Sequence, residues 1–463
     1  MEAIEDERLL SLGLAIMIDS GAHERKMKRK RREISTFKPL EVTNSVSEGK
    51  LFSLLETREI MLKRENKNTS DDGKGLHMIH LLLMSATCLD DNKLDSAVEN
   101  LIELYQNVSL NGDSVQRVAA YFADGLVARL LTRRSPFHEM IMKQPGSEDE
   151  FLAYIELYKV SPYFQFAHFT ANQMIMEAFE REMENSNDKN NCSLHVVDLD
   201  VSYGFQWPSL MQSLSDKATN GNHVSLRVTG FGKTLKELKE TEARLVGFAK
   251  TFRNLIFEFR GMLRKNICRM ESIRKRKNET LVVNSIFHLN SLCNLTHISE
   301  TLKSIQKLEP SLVVLVEQEG GRSPRSFLSS FMEFLHYYAA MFDSLDDFLP
   351  LDSVQRLQIE KNHLGKEIKQ LMDFDKDEEN SPKYERMETW KGRMEGHGFV
   401  GMNLSSKSII QAKLLLKISS NYCPNQFGGE NNGGFLAFER QEEGNAISLA
   451  WQDKCLITAS AWQ

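Results

Sequence analysis

The sequence predicts an α/β protein with a Rossmann-like, doubly wound and mostly parallel sheet, an N-terminal α-helical cap and antiparallel C-terminal edge strands. Three observations predict this fold. Apolar residues recur at helical spacing over residues 71–190. Short, nearly continuous apolar segments then alternate with amphipathic helices, as a parallel sheet covered on both faces requires. In the last forty or so residues, apolar stretches lie between glycines and polar turns, which is typical of antiparallel strands.

Length, composition and charge restrict the classes of protein to consider. The chain has 463 residues, and its apolar content of 41% fills a sizeable core. A net charge of −6 argues against a surface that binds nucleic acid everywhere, so any DNA contact needs a local basic patch. Six widely spaced cysteines indicate reduced thiols without a metal or disulfide framework. The acidic N-terminus precedes an interrupted apolar run, which indicates an intracellular protein with no membrane partner.

Residues 1–70 predict a largely disordered segment with one short helix, because they are polar and charge-clustered. Residues 25–32 contain a dense run of arginines and lysines. Nuclear import receptors bind such runs, so this run predicts a nuclear protein. The alternative is a run of charges that is only solvated. The members of the basic run are Arg25, Lys26, Lys28, Arg29, Lys30, Arg31 and Arg32. Residues 51–55 also spell an LxxLL coactivator-type box, Leu51-Phe52-Ser53-Leu54-Leu55, although matches of five residues arise by chance.

Residues 71–190 predict the helical cap. The first helix is predicted to bury a stripe formed by Leu76, Ile79, Leu82 and Leu83. A second helix follows, a third begins at Asp113 and Ser114 as possible caps, and a fourth covers 162–182. These helices carry more apolar surface than they can bury against one another. We therefore expect part of it to cover the sheet or a partner protein, with core packing alone as the alternative.

Residues 191–463 predict the sheet core. The apolar segments that indicate strands are 194–200, 224–231, 255–259, 281–287 and 312–318. Thr234 and Glu237 form a capping-box pattern that begins a helix after the second strand. Ser323 and Pro324 predict the start of a later helix, and residues 373–380 predict an acidic loop. Right-handed crossovers between parallel strands then make the sheet doubly wound.

Five ordered motifs identify a family. Leucine-rich helices cover 76–131 and 240–252. A VHIID-like motif comprises Leu194, His195, Val196, Val197 and Asp198. PFYRE-like positions are Pro310, Phe331, Tyr337, Lys366 and Glu367. SAW-like positions are Trp390, Gly398, Trp451, Ser460, Ala461 and Trp462. From Leu76 to the last residue the chain resembles the GRAS family of plant transcriptional regulators, and within it the nodulation-signalling branch. It departs at Lys366, where arginine is usual, and in the acidic stretch before Trp390.

The resemblance implies a nuclear regulator without a cofactor. It implies recruitment to promoters mainly through DNA-binding partners such as zinc-finger transcription factors. It also implies association with other GRAS proteins, as homo- or heterodimers, and mainly indirect contact with promoter DNA.

An S-adenosylmethionine-dependent methyltransferase, or another small-molecule enzyme on this fold, is the alternative function. Such enzymes need glycines directly after the first strand, where backbone amides approach the ligand. Here residues 200–207 contain one glycine, and Tyr203, Phe205 and Trp207 are expected to block the ligand edge of the sheet. The second strand ends without an acid for ribose hydroxyls. We therefore predict that the chain is not an enzyme and has no catalytic, cofactor or metal residues.

Two features of the first strand admit a catalytic interpretation. Asp198 and Asp200, two residues apart, form a possible carboxylate pair for acid–base chemistry. Capping of the following loop or helix is the favoured interpretation. His195 is likewise interpreted as a satisfied core or interface histidine.

A second basic cluster lies between the third and fourth strands. It comprises Arg274, Lys275, Arg276 and Lys277, with Arg264, Lys265 and Arg269 upstream. Such a cluster makes salt-sensitive, sequence-independent phosphate contacts, and a solvated loop is the alternative.

Overall fold

The computed structural model describes residues 47–64, 72–185, 191–218, 223–292, 294–320, 326–373, 384–421, 434–440 and 446–463. The predicted import run and most of the acidic loop lie outside these residues. Seven helices form the cap within the described part: α1 (Glu48–Leu62), α2 (Asp72–Asp90), α3 (Leu94–Asn107), α4 (Ser114–Leu130), α5 (Pro136–Ile141), α6 (Ser147–Val160) and α7 (Pro162–Asn185).

The core alternates strands and helices. Its first part comprises β1 (Asn191–Asp198), α8 (Trp207–Lys217), β2 (His223–Gly232), α9 (Leu235–Ala249), β3 (Leu255–Leu263), β4 (Glu279–Ile286), α10 (Leu295–Gln306) and β5 (Leu312–Gln318). The second part comprises α11 (Phe327–Asp346), α12 (Val354–Ile359), α13 (Gly365–Met372), α14 (Met387–Gly396), α15 (Ser406–Asn421), β6 (Phe435–Arg440), β7 (Ala446–Trp451) and β8 (Lys454–Trp462). Short 3₁₀ segments cover Arg264–Ser272 and Leu289–Ser291.

One eight-stranded sheet has the order β3-β2-β1-β4-β5-β8-β7-β6. The first five strands in this order pair in parallel, and β8, β7 and β6 add antiparallel pairs. The predicted doubly wound sheet with antiparallel C-terminal strands is therefore confirmed. Asp198, the last residue of β1, is paired with Gly230 on one side and Asn284 on the other. The chain order thus reverses between β1 and β4, which is the switch point of the sheet.

Both faces of the sheet are covered, which explains the nearly continuous apolar strands. Val282 and Val314 belong to the core that the cap helices share with one face. Their neighbours Val283 and Leu315 belong to a second core with α10 and α14. Successive residues of a strand point to opposite faces, so most strand positions carry an apolar side chain.

The cap begins earlier than residue 71. Helix α1 lies within the segment predicted as largely disordered and packs against α3. Leu51, Leu54 and Leu55 are buried, with Leu54 fully inaccessible. The leucines of the LxxLL match at 51–55 fill the core of the cap, which agrees with a chance match and not with an accessible coactivator-type box.

The buried face of α2 also differs from the predicted stripe. Leu76 is 76% exposed, whereas Met78 and Leu81 are buried together with the predicted Leu82. Apolar residues surround this helix, so its sequence permits more than one core-facing stripe. Packing against α3 and α4 selects the stripe that begins at Met78.

Helix caps follow the local sequence closely. The Asp113 side chain accepts a hydrogen bond from the Gln116 N–H, and Thr234 Oγ1 accepts one from the Glu237 N–H. Both predicted caps are confirmed. Helix α11 begins at Phe327 with Ser326 as its cap, and the predicted starting pair Ser323-Pro324 lies outside the described residues.

Buried ion pairs join the cap to itself and to the core. Arg58 of α1 donates two hydrogen bonds of 2.7 Å to the Asp124 carboxylate of α4. Arg117 of α4 and Arg356 of α12 both bind Glu360, which begins a π-helical turn between α12 and α13. These pairs hold α1, α4 and the helix at 354–372 in fixed positions.

Within the described residues, none of the helices combines the length and apolarity that crossing a bilayer requires.

Candidate functional site

A cavity of about 530 Å³ lies at the carboxyl ends of the parallel strands. Its lining includes Asp198 at the end of β1, Asp200 after it, Asn290 after β4 and Gln318 at the end of β5. Side chains of α6, α7, α11 and α13 close the other side. This is the switch point of the sheet, where open α/β folds bind their ligands.

The loop after β1 leaves this cavity open. Trp207 turns into the core and is fully buried, while Tyr203 and Phe205 form part of the wall. The chain makes this turn at Gly204, whose φ of +77° strongly favours glycine. The prediction that aromatic residues block the ligand edge is therefore wrong. The direction of their side chains depends on the turn at Gly204 and on the position of α8.

Asp198 and Asp200 organise the loop, as the favoured interpretation expected. Asp198 Oδ1 accepts hydrogen bonds from the Asp200 N–H at 3.3 Å and from Asn284 Nδ2 at 3.2 Å. Asp200 accepts the Ser202 N–H at 3.2 Å and forms an ion pair with Arg264. Burial raises the pKa of Asp198 to about 7. Both carboxyls nevertheless line the cavity.

His195 is a core residue of β1 with no contact to the cavity. It is fully buried, and its Nε2 lies 2.9 Å from Thr229 Oγ1 on β2. Burial, reinforced by the Arg227 charge, lowers its pKa to about 3. The ring is therefore neutral at physiological pH. The interpretation as a core histidine is confirmed, but the ring is only partly satisfied, because Nδ1 has no hydrogen-bond partner among the described residues.

Residues of two motifs meet at the cavity although they are far apart in sequence. Asp198 comes from the VHIID-like motif, and Tyr337, Lys366 and Glu367 come from the PFYRE-like positions. Tyr338 Oη donates a hydrogen bond of 3.0 Å to Glu367. The sheet supplies the Asp198 carboxyl, and the helices after β5 supply Tyr337, Lys366 and Glu367.

Sequence reasoning missed the cap residues of this site. Tyr163 of α7 hydrogen-bonds Tyr337 through their hydroxyls at 2.7 Å, and Glu150 of α6 forms an ion pair with Lys366. Tyr384 lies 2.9 Å from the Tyr338 hydroxyl. Tyrosines on otherwise apolar helix faces were the available signal, because a buried phenol needs a hydrogen-bonding partner.

The other motif residues stabilise the fold. Phe331 packs edge-on against Phe122 of α4, with ring centroids 5.5 Å apart, and Pro310 precedes β5. The SAW-like residues form the end of the sheet and its cover. Trp390, Trp451 and Trp462 are buried, and Ser460 and Ala461 lie in β8 opposite β5.

For two of the SAW-like positions, the structure explains why that residue type is present. Trp462 Nε1 donates a hydrogen bond of 2.9 Å to Ser460 Oγ within the second core. Gly398 follows α14 with a φ of +85°, and its missing side chain leaves room for Gln306.

The second basic cluster is divided between opposite edges of the sheet. Arg264 follows β3 and belongs to the cavity edge. Residues 274–277 precede β4 and therefore lie at the amino edge. There Arg276 forms a two-hydrogen-bond ion pair with Glu258, at 2.7 and 3.0 Å, while Lys275 and Lys277 are exposed.

A second carboxyl with a raised pKa is Glu317, near the end of β5. It is buried and accepts hydrogen bonds from the backbone N–H groups of Leu289 and Asn290, at 2.6 and 3.3 Å. Burial raises its pKa to about 8 despite these donors. The folded protein therefore retains a proton that an unfolded glutamate, titrating near pH ~4, has already lost.

We expect the free energy of unfolding to fall between about pH 7 and pH 8 by about 1.4 kcal/mol per pH unit because of Glu317, and to fall more steeply between about pH 6.5 and pH 7, where Asp198 with its pKa of about 7 also titrates. A raised carboxyl pKa contributes stability that is complete below the unfolded value and lost as pH rises through the folded one. Buried His168, His195 and His288, with pKa values lowered to about 3, 3 and 4, oppose this fall only below about pH 6.5, where unfolded histidines are charged.

Urea titrations at several pH values measure this slope. The Glu317→Gln variant should have a flatter profile above pH ~6.5, because it removes the group that titrates near 8. An equal slope in wild type and variant would contradict the assignment to Glu317.

Comparisons with known proteins agree with the motifs and the fold. Residues 78–463 match the GRAS domain family. Protein SCARECROW of Arabidopsis thaliana is 33% identical over 406 residues, covering 86% of this chain and 57% of that protein. Scarecrow-like protein 23 of Arabidopsis thaliana is 33% identical over 407 residues, covering 85% of this chain and 91% of its own length. The chain thus spans little more than half the length of several SCARECROW relatives.

The fold matches a crystal structure of SCL7 in Oryza sativa. That match has a TM-score of 0.66 and 27% sequence identity, and it covers 83% of this chain and 99% of SCL7. The resemblance to the nodulation-signalling branch stays a prediction. From its ordered motifs, its sheet and a family match that extends from residue 78 to the C-terminal residue, the chain belongs to the GRAS domain family.

Proposed function

We propose that this chain is a plant transcriptional regulator that acts in the nucleus as an interaction scaffold. Membership of the GRAS domain family over residues 78–463 is the observation that carries the proposal. DNA-binding transcription factors, including zinc-finger proteins, bring it to promoters, and other GRAS proteins associate with it. It works as a regulator and not as a catalyst.

The loop after β1 supports a role without methyl transfer. It offers one glycine, Gly204, and a Cβ at that position would lie 2.9 Å from Thr241 Cγ2. Backbone amides that cradle a dinucleotide or S-adenosylmethionine need several small residues here. Ser202, Tyr203 and Phe205 stand in their place and present side chains to the cavity.

The cap supplies accessible apolar side chains for partners. Phe52 of α1 is 60% exposed and Leu76 of α2 is 76% exposed, on the helices that precede and begin the leucine-rich region. Direct contact with DNA is secondary. It uses Lys275 and Lys277, whose charge supports salt-sensitive contact with phosphates and no base recognition.

A reporter assay in plant cells tests the proposed function. The full chain is fused to a heterologous DNA-binding domain and compared with that domain alone and with the unfused chain. We expect the fusion, and only the fusion, to change transcription from the cognate promoter severalfold. A fusion without effect on transcription, or methyl transfer from S-adenosylmethionine by the purified chain, would overturn the proposal.

Nuclear import is predicted to depend on the basic run at 25–32. Replacing its arginines and lysines with alanine should abolish nuclear enrichment of a fluorescent full-length fusion, because import receptors recognise clustered positive charge. Fluorescence microscopy gives the nuclear-to-cytoplasmic ratio. The matched control replaces the exposed Lys275 and Lys277 and should stay nuclear. Undiminished nuclear enrichment of the first variant would contradict the assignment.

A further inference from the structure

The cavity at the carboxyl edge of the sheet has more hydrogen-bond acceptors than the protein satisfies. Asn290 is 9% exposed and lines the cavity. Its Nδ2 donates to the Gln318 backbone oxygen at 3.0 Å, but its Oδ1 has no partner among the described residues. A buried carbonyl oxygen without a donor is costly, so this atom favours a bound molecule that supplies an N–H or O–H group.

The cavity is lined by more carboxyl groups than are paired with a lysine or arginine side chain. The Arg264 guanidinium is bound to Asp200 and the Lys366 ammonium to Glu150. Three further carboxyls line the same space, and none forms an ion pair with a lysine or arginine of the described part of the chain. They are Asp198, Glu237 and Glu367. Lys233 also lines the cavity, but it is exposed to solvent.

Glu367 is partly exposed, whereas Asp198 is buried. The Glu367 side chain is 35% exposed and lies 4.0 Å from His363 Nε2, and it accepts a hydrogen bond from the Tyr338 hydroxyl. A carboxylate held by one hydroxyl retains free lone pairs for a cationic donor. The π-helical turn at Glu360–Leu364 precedes this residue, and such turns often occur at functional sites.

An aromatic wall adjoins the carboxyl. His363 lies 5.6 Å from the Phe164 ring, and Phe164 lies 4.5 Å from Tyr154, as measured between ring centroids. Tyr203 and Phe205 extend the wall, at 5.1 and 5.4 Å from Tyr154. Aromatic faces attract cations and bury flat apolar groups, and a volume of about 530 Å³ suits a small organic molecule.

We propose that this cavity binds a small organic cation, an amine with a planar or apolar body, whose ammonium group pairs with Glu367 and whose body lies against the aromatic wall. The unpartnered Asn290 oxygen accepts a second donor of the ligand. This inference does not depend on the proposed role in transcription. Binding stabilises the folded chain with the logarithm of the ratio of ligand concentration to Kd. The ligand contacts residues of both the cap and the sheet core.

Three indoles of similar size and different charge test the proposal by calorimetric titration of the full chain near neutral pH. They are tryptamine, tryptophol and indole-3-propionate. We expect tryptamine to bind with one molecule per chain, tryptophol about tenfold more weakly, and indole-3-propionate most weakly of the three. Preference for indole-3-propionate, or the absence of tryptamine binding at millimolar concentration, would overturn the proposal.

Two variants locate the binding. Glu367→Gln should weaken tryptamine about tenfold and leave tryptophol unchanged, which also shows that the variant cavity is folded. Ser291→Trp, at an exposed position of the cavity mouth, should weaken both. The exposed Glu242→Gln on α9 is the matched control and should bind like wild type. Unchanged tryptamine affinity in both Glu367→Gln and Ser291→Trp would place the binding elsewhere and refute the site.

Discussion

Replacing Glu360 with glutamine is expected to lower the free energy of unfolding by about 3–5 kcal/mol. Glu360 and Arg117 are fully buried, and Arg356 is 1% exposed. Arg117 Nε donates to Glu360 at 2.9 Å, and Arg356 Nη1 contacts both carboxylate oxygens at 3.0 and 3.1 Å. Glutamine removes the negative charge and turns an amide N–H toward a guanidinium, so Arg356 loses its carboxylate partner and Arg117 keeps only its ion pair with Asp346. Urea unfolding monitored by circular dichroism measures the loss.

The exposed pair Glu258–Arg276 is the matched control for this prediction. It has two hydrogen bonds of 2.7 and 3.0 Å, but both side chains are about half exposed. Glu258→Gln should therefore cost less than about 1 kcal/mol, because water screens the pair and solvates either partner alone. Equal losses for Glu258→Gln and Glu360→Gln would show that burial is not the source of the effect.

Truncating Leu54 to alanine is expected to destabilise the fold by about 2–5 kcal/mol. Leu54 is fully buried in the core that α1 shares with the rest of the cap, so the variant loses apolar burial and leaves a void. Thermal or urea unfolding of the full chain measures the change. The same substitution is an obvious way to test an LxxLL box, and any loss of partner binding would then reflect unfolding.

A neighbouring position separates folding from binding. Ser53 is exposed within the same five residues, and Ser53→Ala should change the free energy of unfolding by less than about 0.5 kcal/mol. A Leu54→Ala variant as stable as Ser53→Ala would contradict the burial of α1 in the cap. Exposed Phe52 is then the residue to substitute when partner binding is the question.

The pattern of apolar residues predicted the positions of several strands correctly. The predicted strand at 312–318 coincides with β5, and the segment at 224–231 lies within β2. Such segments are reliable because a strand covered on both faces must be apolar at most of its positions. The helix α2 shows the limit, since apolar residues on all its sides leave its core-facing stripe undetermined.

The cavity could not be predicted from the sequence, because its lining residues come from distant segments of the chain. Asp198, Tyr337 and Glu367 were identified as motif residues, but they are far apart along the chain and nothing local places them together. The cap residues Glu150 and Tyr163 belong to no motif and reach the site only because α6 and α7 cross the sheet edge. Aromatic residues after β1 predicted a blocked edge, whereas the turn at Gly204 sends Trp207 into the core.

The sequence by itself determined the family, the layered α/β fold, the strand segments and the helix caps, because these depend on ordered motifs, hydrophobic period and local hydrogen bonding. Only the tertiary structure decided which leucines are accessible, which side of α2 is buried and whether the sheet edge is open. Those properties depend on contacts between distant segments. The burial of Leu54, the pairing of Arg117 with Glu360 and the meeting of Asp198 with Glu367 at one cavity all arise from packing that no local pattern encodes.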